Sequence, residues 1–103
     1  MQLEISGHHV EVTPALRQHV EEKLDKVHKL FDNITHVHVT LTVEKKKKQQ
    51  KAEAKINLSG TEIFADSTTN DMYASIDLLT QKLATQVKKY KDKLKSHDNG
   101  EIH

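Results

Sequence analysis

The chain has 103 residues, a formal net charge of +1 and no cysteine. This length suffices for one domain with a buried core, and the lack of cysteine excludes a disulfide framework and a thiolate metal site. The N-terminal segment lacks the regions of a signal peptide, and no apolar run reaches the length of a membrane span. We therefore expect a cytoplasmic protein with no membrane partner.

The charges are distributed unevenly along the chain. Six lysines and one acidic residue fall within residues 45–55, and six lysines and one acidic residue fall within residues 80–95. Acidic residues outnumber basic ones in the remaining segments. Two basic blocks in an otherwise acidic chain indicate a polyanionic partner at one surface.

The first third of the chain predicts a strand followed by a helix. Residues 2–6 alternate in polarity, and Gly7 is expected to end that strand. Thr13 and Pro14 then form a helix start, because the hydroxyl can cap free N–H groups and proline is tolerated in the first turn. The helix ends near Asp32, and its apolar stripe consists of Leu16, Val20, Leu24, Val27 and Phe31.

Three strands follow, and together they predict an antiparallel meander. The period falls to two over residues 35–43, which places four apolar side chains on one face. Residues 44–51 contain no apolar side chain and are expected to form an exposed loop. Alternation resumes over residues 52–58, and a Ser59–Gly60 turn leads into a strand over residues 61–66.

Residues 71–95 predict a long amphipathic helix. Seven buried side chains at roughly 1.5 to 3 kcal/mol each outweigh a cap of about 1 kcal/mol, so packing decides that this helix forms. Its apolar stripe consists of Met72, Ile76, Leu79, Leu83, Val87, Tyr90 and Leu94.

The predicted fold class is α+β, in the order β-α-β-β-β-α. A right-handed crossover makes the first two strands parallel neighbours. Because each strand has one apolar face and each helix one stripe, both helices should pack on one face of a four-stranded sheet, as a two-layer sandwich. Residues 1–95 are expected to form this single domain, and residues 96–103 a flexible tail.

Basic flanks on both helices are the first candidate site. His19, Lys23 and Lys26 share one flank of the first helix, and Arg17 lies on the opposite flank. On the second helix Lys82, Lys89 and Lys93 share one flank, whereas Lys88, Lys91 and Lys95 share the other. If the Lys23 and Lys82 flanks face each other, they line a groove suited to phosphate groups. A solvated lysine surface is the alternative interpretation.

Two further groups of residues allow more than one interpretation. Lys45 to Lys48 could contact nucleic acid, but such a run is more often a solubilising hairpin tip or edge protection. His36 and His38 project from one strand face and could ligate a metal near Glu4. Solvent-facing histidines are the favoured interpretation, and we expect no metal.

The sequence disfavours catalysis. No glycine-rich phosphate loop follows a strand, and no serine nucleophile has an evident partner. Only four aromatic side chains (Phe and Tyr) are present, with no pair on a strand for stacking bases. Recognition of folded RNA through its backbone and shape remains.

The residues quoted above carry a resemblance to a known family. The chain resembles the short-form bacterial ribosome hibernation promoting factors, relatives of the ribosome-associated inhibitor in the sigma-54 modulation protein family. The similarity runs from Met1 to about Leu94. It includes MQLEISGHHVEVTPALR, KVHKLFDNITHVHVTLTVEK and, above all, DMYASIDLLTQKLATQVKKYKDKLK.

The resemblance implies a fold like that of double-stranded-RNA-binding domains, with no catalysis and no cofactor. It also implies binding of the small ribosomal subunit and its rRNA in the channel for mRNA and A- and P-site tRNA, with a block of translation. In stationary phase, inactive ribosome dimers would form together with ribosome modulation factor. A monomer is expected away from the ribosome. A general double-stranded-RNA-binding module is the alternative.

The resemblance also assigns rRNA-binding residues. Thr85 stands where the family usually has arginine, and Lys88 is the residue that could compensate on the same helix. Only eight residues follow Lys95, so the resemblance is to the short form, which depends on a partner to form ribosome dimers. The expected rRNA-binding residues are Arg17, Lys23, Lys26, Lys82, Lys88, Lys89, Lys91 and Lys93.

Overall fold

The computed structural model describes the backbone of residues 1–102 and the side chains of residues 1–94. The flexible tail expected over residues 96–103 lies outside the residues described with side chains. The elements are β1 (Gln2–His8), α1 (Pro14–Leu30), β2 (His36–Glu44), β3 (Gln49–Leu58), β4 (Thr61–Thr69) and α2 (Met72–Ile102). The predicted β-α-β-β-β-α order is confirmed.

The four strands form one sheet in the order β1-β2-β3-β4. β1 pairs in parallel with β2, with Leu3 opposite Val37, as the crossover through α1 predicts. β3 pairs antiparallel with both β2 and β4. The meander therefore places β2 and β3 inside the sheet and β1 and β4 at its edges.

Both helices cover the same face of this sheet, and the core lies between the two layers. Most strand residues predicted to face inward are buried, including Val37, Leu41 and Ile56, each at 0% exposure, whereas Leu3, Ile5 and Val43 are half-buried against the core. The outward-facing residues between them are only partly buried or exposed. The buried stripe positions of the helices are Leu16, Val20, Leu24, Val27, Met72, Ile76, Leu79, Leu83 and Val87.

The start of α1 follows the prediction from Thr13 and Pro14. Thr13 caps the helix, because its Oγ1 accepts a hydrogen bond of 3.2 Å from the backbone N–H of Leu16. Pro14 occupies the first turn, where its missing N–H costs no hydrogen bond.

Several predicted boundaries were wrong. β1 continues through Gly7, which pairs with Leu41, instead of ending there. β3 begins at Gln49 and β4 runs to Thr69, because backbone pairing continues through polar residues that carry no apolar alternation. The loop between β2 and β3 therefore shortens to residues 45–48.

Burial along α2 also departs from the prediction near its end. Tyr90 is half-buried, and its hydroxyl donates a 3.2 Å hydrogen bond to the backbone oxygen of Ser59. Leu94 was expected in the core but is 43% exposed. At this point the helix has passed the end of the sheet, so no strand remains to cover the side chain.

A buried hydroxyl fastens the start of α2 to the sheet. Ser75 is 0% exposed, and its Oγ donates a 2.6 Å hydrogen bond to the backbone oxygen of Gln50. The same Oγ accepts a 3.1 Å hydrogen bond from the backbone N–H of Thr69. This contact links α2 to both β3 and β4. Among the described residues no helix is long and apolar enough to cross a membrane.

Candidate nucleic-acid interface

A groove runs between α1 and α2 on the outer surface of the helical layer. Its volume is about 340 Å³. The floor is partly apolar, and lysine side chains of α1 stand along one wall. We call this surface the interhelical groove, and it is lined by Lys23, Lys26, Val27, Leu30, Asp77, Thr80, Gln81 and Ala84.

Asp77 lies at one end of the interhelical groove, where it contacts side chains of α1. Its Oδ1 lies 2.7 Å from Nε2 of His19, which donates the hydrogen bond, and 3.4 Å from Nζ of Lys23. The His19 ring also packs edge-on against Tyr73 at a centroid distance of 5.0 Å. These contacts join the two helices, and the carboxylate partly neutralises the charge of Lys23.

The surroundings of Asp77 shift its pKa in opposing directions. Partial burial is the largest influence and raises the pKa of this carboxyl. The hydrogen bond from His19 and the positive charge of Lys23 outweigh that effect, so the pKa of Asp77 lies below its usual value. The carboxylate is therefore ionised at neutral pH and repels phosphate from this end of the groove.

The other end of the interhelical groove carries positive charge. Lys91 donates a 3.2 Å hydrogen bond from Nζ to the backbone oxygen of Leu30, the last residue of α1. Lys26 lies one helical turn before Leu30, and among the described side chains it has no carboxylate within 4.0 Å. Lys88 shares the flank of Lys91 and is exposed. We call Lys26, Lys88 and Lys91 the basic end of the groove.

The opposite flank of α2 faces the edge of the sheet. Lys82 donates a 2.7 Å hydrogen bond from Nζ to the backbone oxygen of Asp66 on β4. Gln86 donates one of 3.0 Å to the backbone oxygen of Phe64 on the same strand. Lys82, Lys89 and Lys93 therefore do not face α1.

This placement corrects one sequence prediction. The flank of Lys82 was expected to form the second wall of the groove, but the flank of Lys88 and Lys91 does so. The physical reason is that α2 packs between α1 and the β4 edge, so its two flanks point in opposite directions. The basic end of the groove therefore contains Lys88 and Lys91 instead of Lys82, Lys89 and Lys93, although all of these were predicted as rRNA-binding residues.

The remaining predicted site residues are exposed. Arg17 is exposed on α1, and its position along the helix puts it on the opposite flank from Lys23. Thr85, where the resemblance implies an arginine, donates a 3.0 Å hydrogen bond to the backbone oxygen of Gln81 within its own helix. Thr85 also borders a shallow cavity with Lys82, Gln86 and Phe64, and compensation by Lys88 stays a prediction.

The predicted histidine cluster lies on the open face of the sheet. Oε2 of Glu4 is 3.6 Å from Nδ1 of His38 and 3.9 Å from Nε2 of His36, so the expected proximity is confirmed. Nε2 of His38 also lies 3.2 Å from Oγ of Ser6. Among the described residues no group of three or more potential ligands is arranged to hold a metal ion.

Asp77 is the groove residue whose role was missed from the sequence. In the sequence it is an acidic residue near the start of the second helix. Its spacing of 11 residues from Lys88 and 14 from Lys91 places it on the same flank as those lysines. That spacing could have revealed that the groove has an acidic end and a basic end.

Comparison with known proteins assigns the chain to a family. A family model described as sigma 54 modulation protein / S30EA ribosomal protein matches residues 3–95. The chain therefore belongs to this family, and the resemblance noted in the sequence is confirmed.

Individual relatives agree with this assignment. The chain is 50% identical over 97 residues to the ribosome hibernation promoting factor of Klebsiella oxytoca, covering 94% of this chain and 100% of the relative. It is 51% identical to that of Pseudomonas putida, covering 93% of this chain and 92% of the relative.

Solved structures share the fold. A ribosomal subunit interface protein from Coxiella burnetii superposes with a TM-score of 0.83 and 35% identity, covering 89% of this chain and 99% of that one. The N-terminal domain of Protein Y from Thermus thermophilus superposes with a TM-score of 0.80 and 31% identity, covering 87% and 99%.

Proposed function

We propose that this protein is a ribosome hibernation factor that binds the small ribosomal subunit through rRNA at the basic end of the groove. The observation that carries the proposal is the cluster of Lys26, Lys88 and Lys91, which is positive and exposed at one end of the interhelical groove. Relatives about half identical over nearly the whole chain are named ribosome hibernation promoting factors. The similarity to these relatives, together with the exposed lysine cluster, supports the same function for this chain.

The side chains suit contact with the RNA backbone. Lysine ammonium groups on flexible stems bind phosphates as point charges and need no fixed geometry. The exposed aromatic side chains Phe64 and Tyr73 lie on a strand and a helix respectively, and so do not form one stacking platform. Binding is therefore expected to depend on the shape and phosphates of folded rRNA.

The assigned residues contribute unequally to this proposal. The basic end of the groove provides the main contact, Lys89 and Lys93 add contacts from the other flank of α2, and Arg17 reaches RNA from the far side of α1. Lys23 contributes less, because Asp77 compensates its charge. Lys82 keeps its charge but sits against the sheet edge.

The proposal also specifies where the protein binds on the ribosome and how binding affects translation. The protein occupies the channel for mRNA and for A- and P-site tRNA, and so blocks translation. In stationary phase it favours inactive ribosome dimers together with ribosome modulation factor. It acts in the cytoplasm and is a monomer when it is not bound to a ribosome.

Charge reversal at the basic end of the groove tests the proposal. Lys26→Glu with Lys88→Glu should abolish co-sedimentation with small subunits, because both side chains are exposed and each reversal replaces attraction to phosphate with repulsion. The control is Lys29→Glu with Lys55→Glu, which changes net charge equally at lysines paired with Asp25 and Glu62. The control should bind, and all variants should keep the wild-type circular dichroism spectrum.

Two results would contradict the proposal. One is retained binding of small subunits by the folded Lys26→Glu, Lys88→Glu variant. The other is equal competition by a generic RNA duplex, which would instead indicate the alternative double-stranded-RNA-binding module.

A further inference from the structure

The hairpin between β2 and β3 ends in four consecutive lysines. Lys45 to Lys48 form the turn, which is closed by a 3.3 Å hydrogen bond from the Lys48 N–H to the Lys45 oxygen. All four are exposed, and among the described side chains none has a carboxylate within 4.0 Å. The next lysines of β3 differ, because Lys51 and Lys55 both contact acidic side chains. We call residues 45–48 the lysine turn.

The fold does not require lysines at this position. Like charges in one turn repel each other, and any polar residues would keep the hairpin soluble. Lys48 also has a φ of 52°, a left-handed conformation that favours glycine or asparagine. Edge protection does not explain the turn either, because β2 and β3 are the inner strands of the sheet.

The lysine turn borders an open cavity of about 650 Å³. Two imidazoles and a threonine hydroxyl face it together with lysine ammonium groups, so most of its polar groups can donate hydrogen bonds to an anion. Glu44 is the acidic group of this lining. The cavity is lined by His8, His9, Thr42, Val43, Glu44, Lys45 and Lys46.

This region lies far from the basic end of the groove. β1 and β2 are parallel and both end beside the lysine turn, whereas α1 runs back from there toward Leu30. A helix of 17 residues is about 25 Å long, which sets the scale of the separation from Lys26 and Lys91. Asp77 is held between the helices nearer the start of α1, so the positive charge is divided into two regions.

We propose that the lysine turn, with His8 and His9 beside it, is a second site that binds the phosphodiester backbone of RNA. The protein then holds one folded RNA surface at two points, and the two contacts strengthen each other because they belong to one rigid domain. This inference rests on the proposed function, since the RNA is that of the small ribosomal subunit. It assigns a binding role to charges that the fold does not use.

The test compares two variants with equal net charge. Lys45→Gln, Lys46→Gln and Lys47→Gln neutralise the turn and leave the left-handed Lys48 unchanged. The control is Lys29→Gln, Lys51→Gln and Lys55→Gln, three lysines that contact carboxylates. Affinity for purified small subunits is measured over a range of salt concentrations, after thermal melting has shown that both variants fold.

Loss of three phosphate contacts should change both the affinity for small subunits and its dependence on salt concentration. The turn variant should bind roughly 10- to 100-fold more weakly at about 0.1 M salt, and its log–log salt slope should be shallower by about 2 to 3. The control should stay within about twofold of wild type, with an unchanged slope.

The possible failures can be told apart. If the turn variant and the control bind alike while wild type binds, the second site is wrong and the proposed function stands. If wild type itself does not bind small subunits, both the proposed function and this inference are overturned.

Discussion

Gly7 shows how one residue can be needed for a close approach of the backbone. A Cβ atom at this position would lie 2.3 Å from the backbone oxygen of Val10, well inside van der Waals contact. The chain turns sharply after β1, and only glycine leaves room for it. Sequence reasoning identified Gly7 as special but assigned the wrong cause, because a strand break and a close approach give the same signal.

We expect Gly7→Ala to lower the free energy of unfolding by about 1 to 3 kcal/mol, because the backbone must shift to admit the methyl group. The measurement is urea denaturation followed by circular dichroism. Gly60→Asn is the control, since Gly60 has a φ of 73° with no atom within 4 Å, and asparagine tolerates this conformation. Equal midpoints for the two variants would show that the contact at Val10 is relieved without cost.

At the scale of elements, the contact of Asp77 with His19 and Lys23 joins α1 to α2. Because the folded protein lowers the pKa of Asp77, ionisation of this carboxyl favours the folded state. The contribution is complete above the unfolded pKa of about 3.9, and it is lost as the pH falls through the lower folded value. The side chain is 39% exposed, so solvent screening keeps the contribution below about 1 kcal/mol.

Asp77→Asn should therefore lower the melting temperature at pH 5 to 7, and the difference from wild type should shrink below about pH 4. Differential scanning calorimetry across this range measures the effect. The same substitution in a His19→Gln, Lys23→Gln background serves as the control, because the partners of the carboxylate are then absent. A difference that persists unchanged at low pH would show that the ionised carboxylate does not join the helices.

The elements also show which features a sequence can predict. The periodic apolar residues identified the buried faces of α1 and of every strand, because burial needs a repeating side-chain pattern. The extensions of β3 and β4 were missed, since backbone pairing leaves no such pattern. The flank of α2 that faces α1 was also missed: helical phase shows which residues share a flank, but not where the neighbouring helix lies.

At the scale of the whole molecule, the length of α2 divides the helix into a part that packs on the sheet and a part that extends beyond it. A helix of 31 residues is about 46 Å long, whereas a strand of nine residues such as β4 spans about 30 Å. The first half of α2 packs on the sheet, and its later turns extend beyond it, which exposes Leu94 and carries the lysines outward. The molecule accordingly measures 56 × 24 × 19 Å.

The hydrogen bonds from Lys82 and Gln86 to β4 affect whether copies of the protein associate with one another. An edge strand with free carbonyl groups can recruit the same strand of another chain and start aggregation. Here α2 occupies the carbonyl groups of Asp66 and Phe64. Lys82→Ala with Gln86→Ala should therefore raise concentration-dependent self-association in sedimentation velocity.

Thr85→Ala is the control, because within the described part of the chain that hydroxyl bonds only to the backbone of α2. If the double variant remains as monodisperse as this control, α2 does not guard the edge. Otherwise the helix that carries the proposed RNA-binding lysines also keeps the protein dispersed, which matters most where many copies are crowded together.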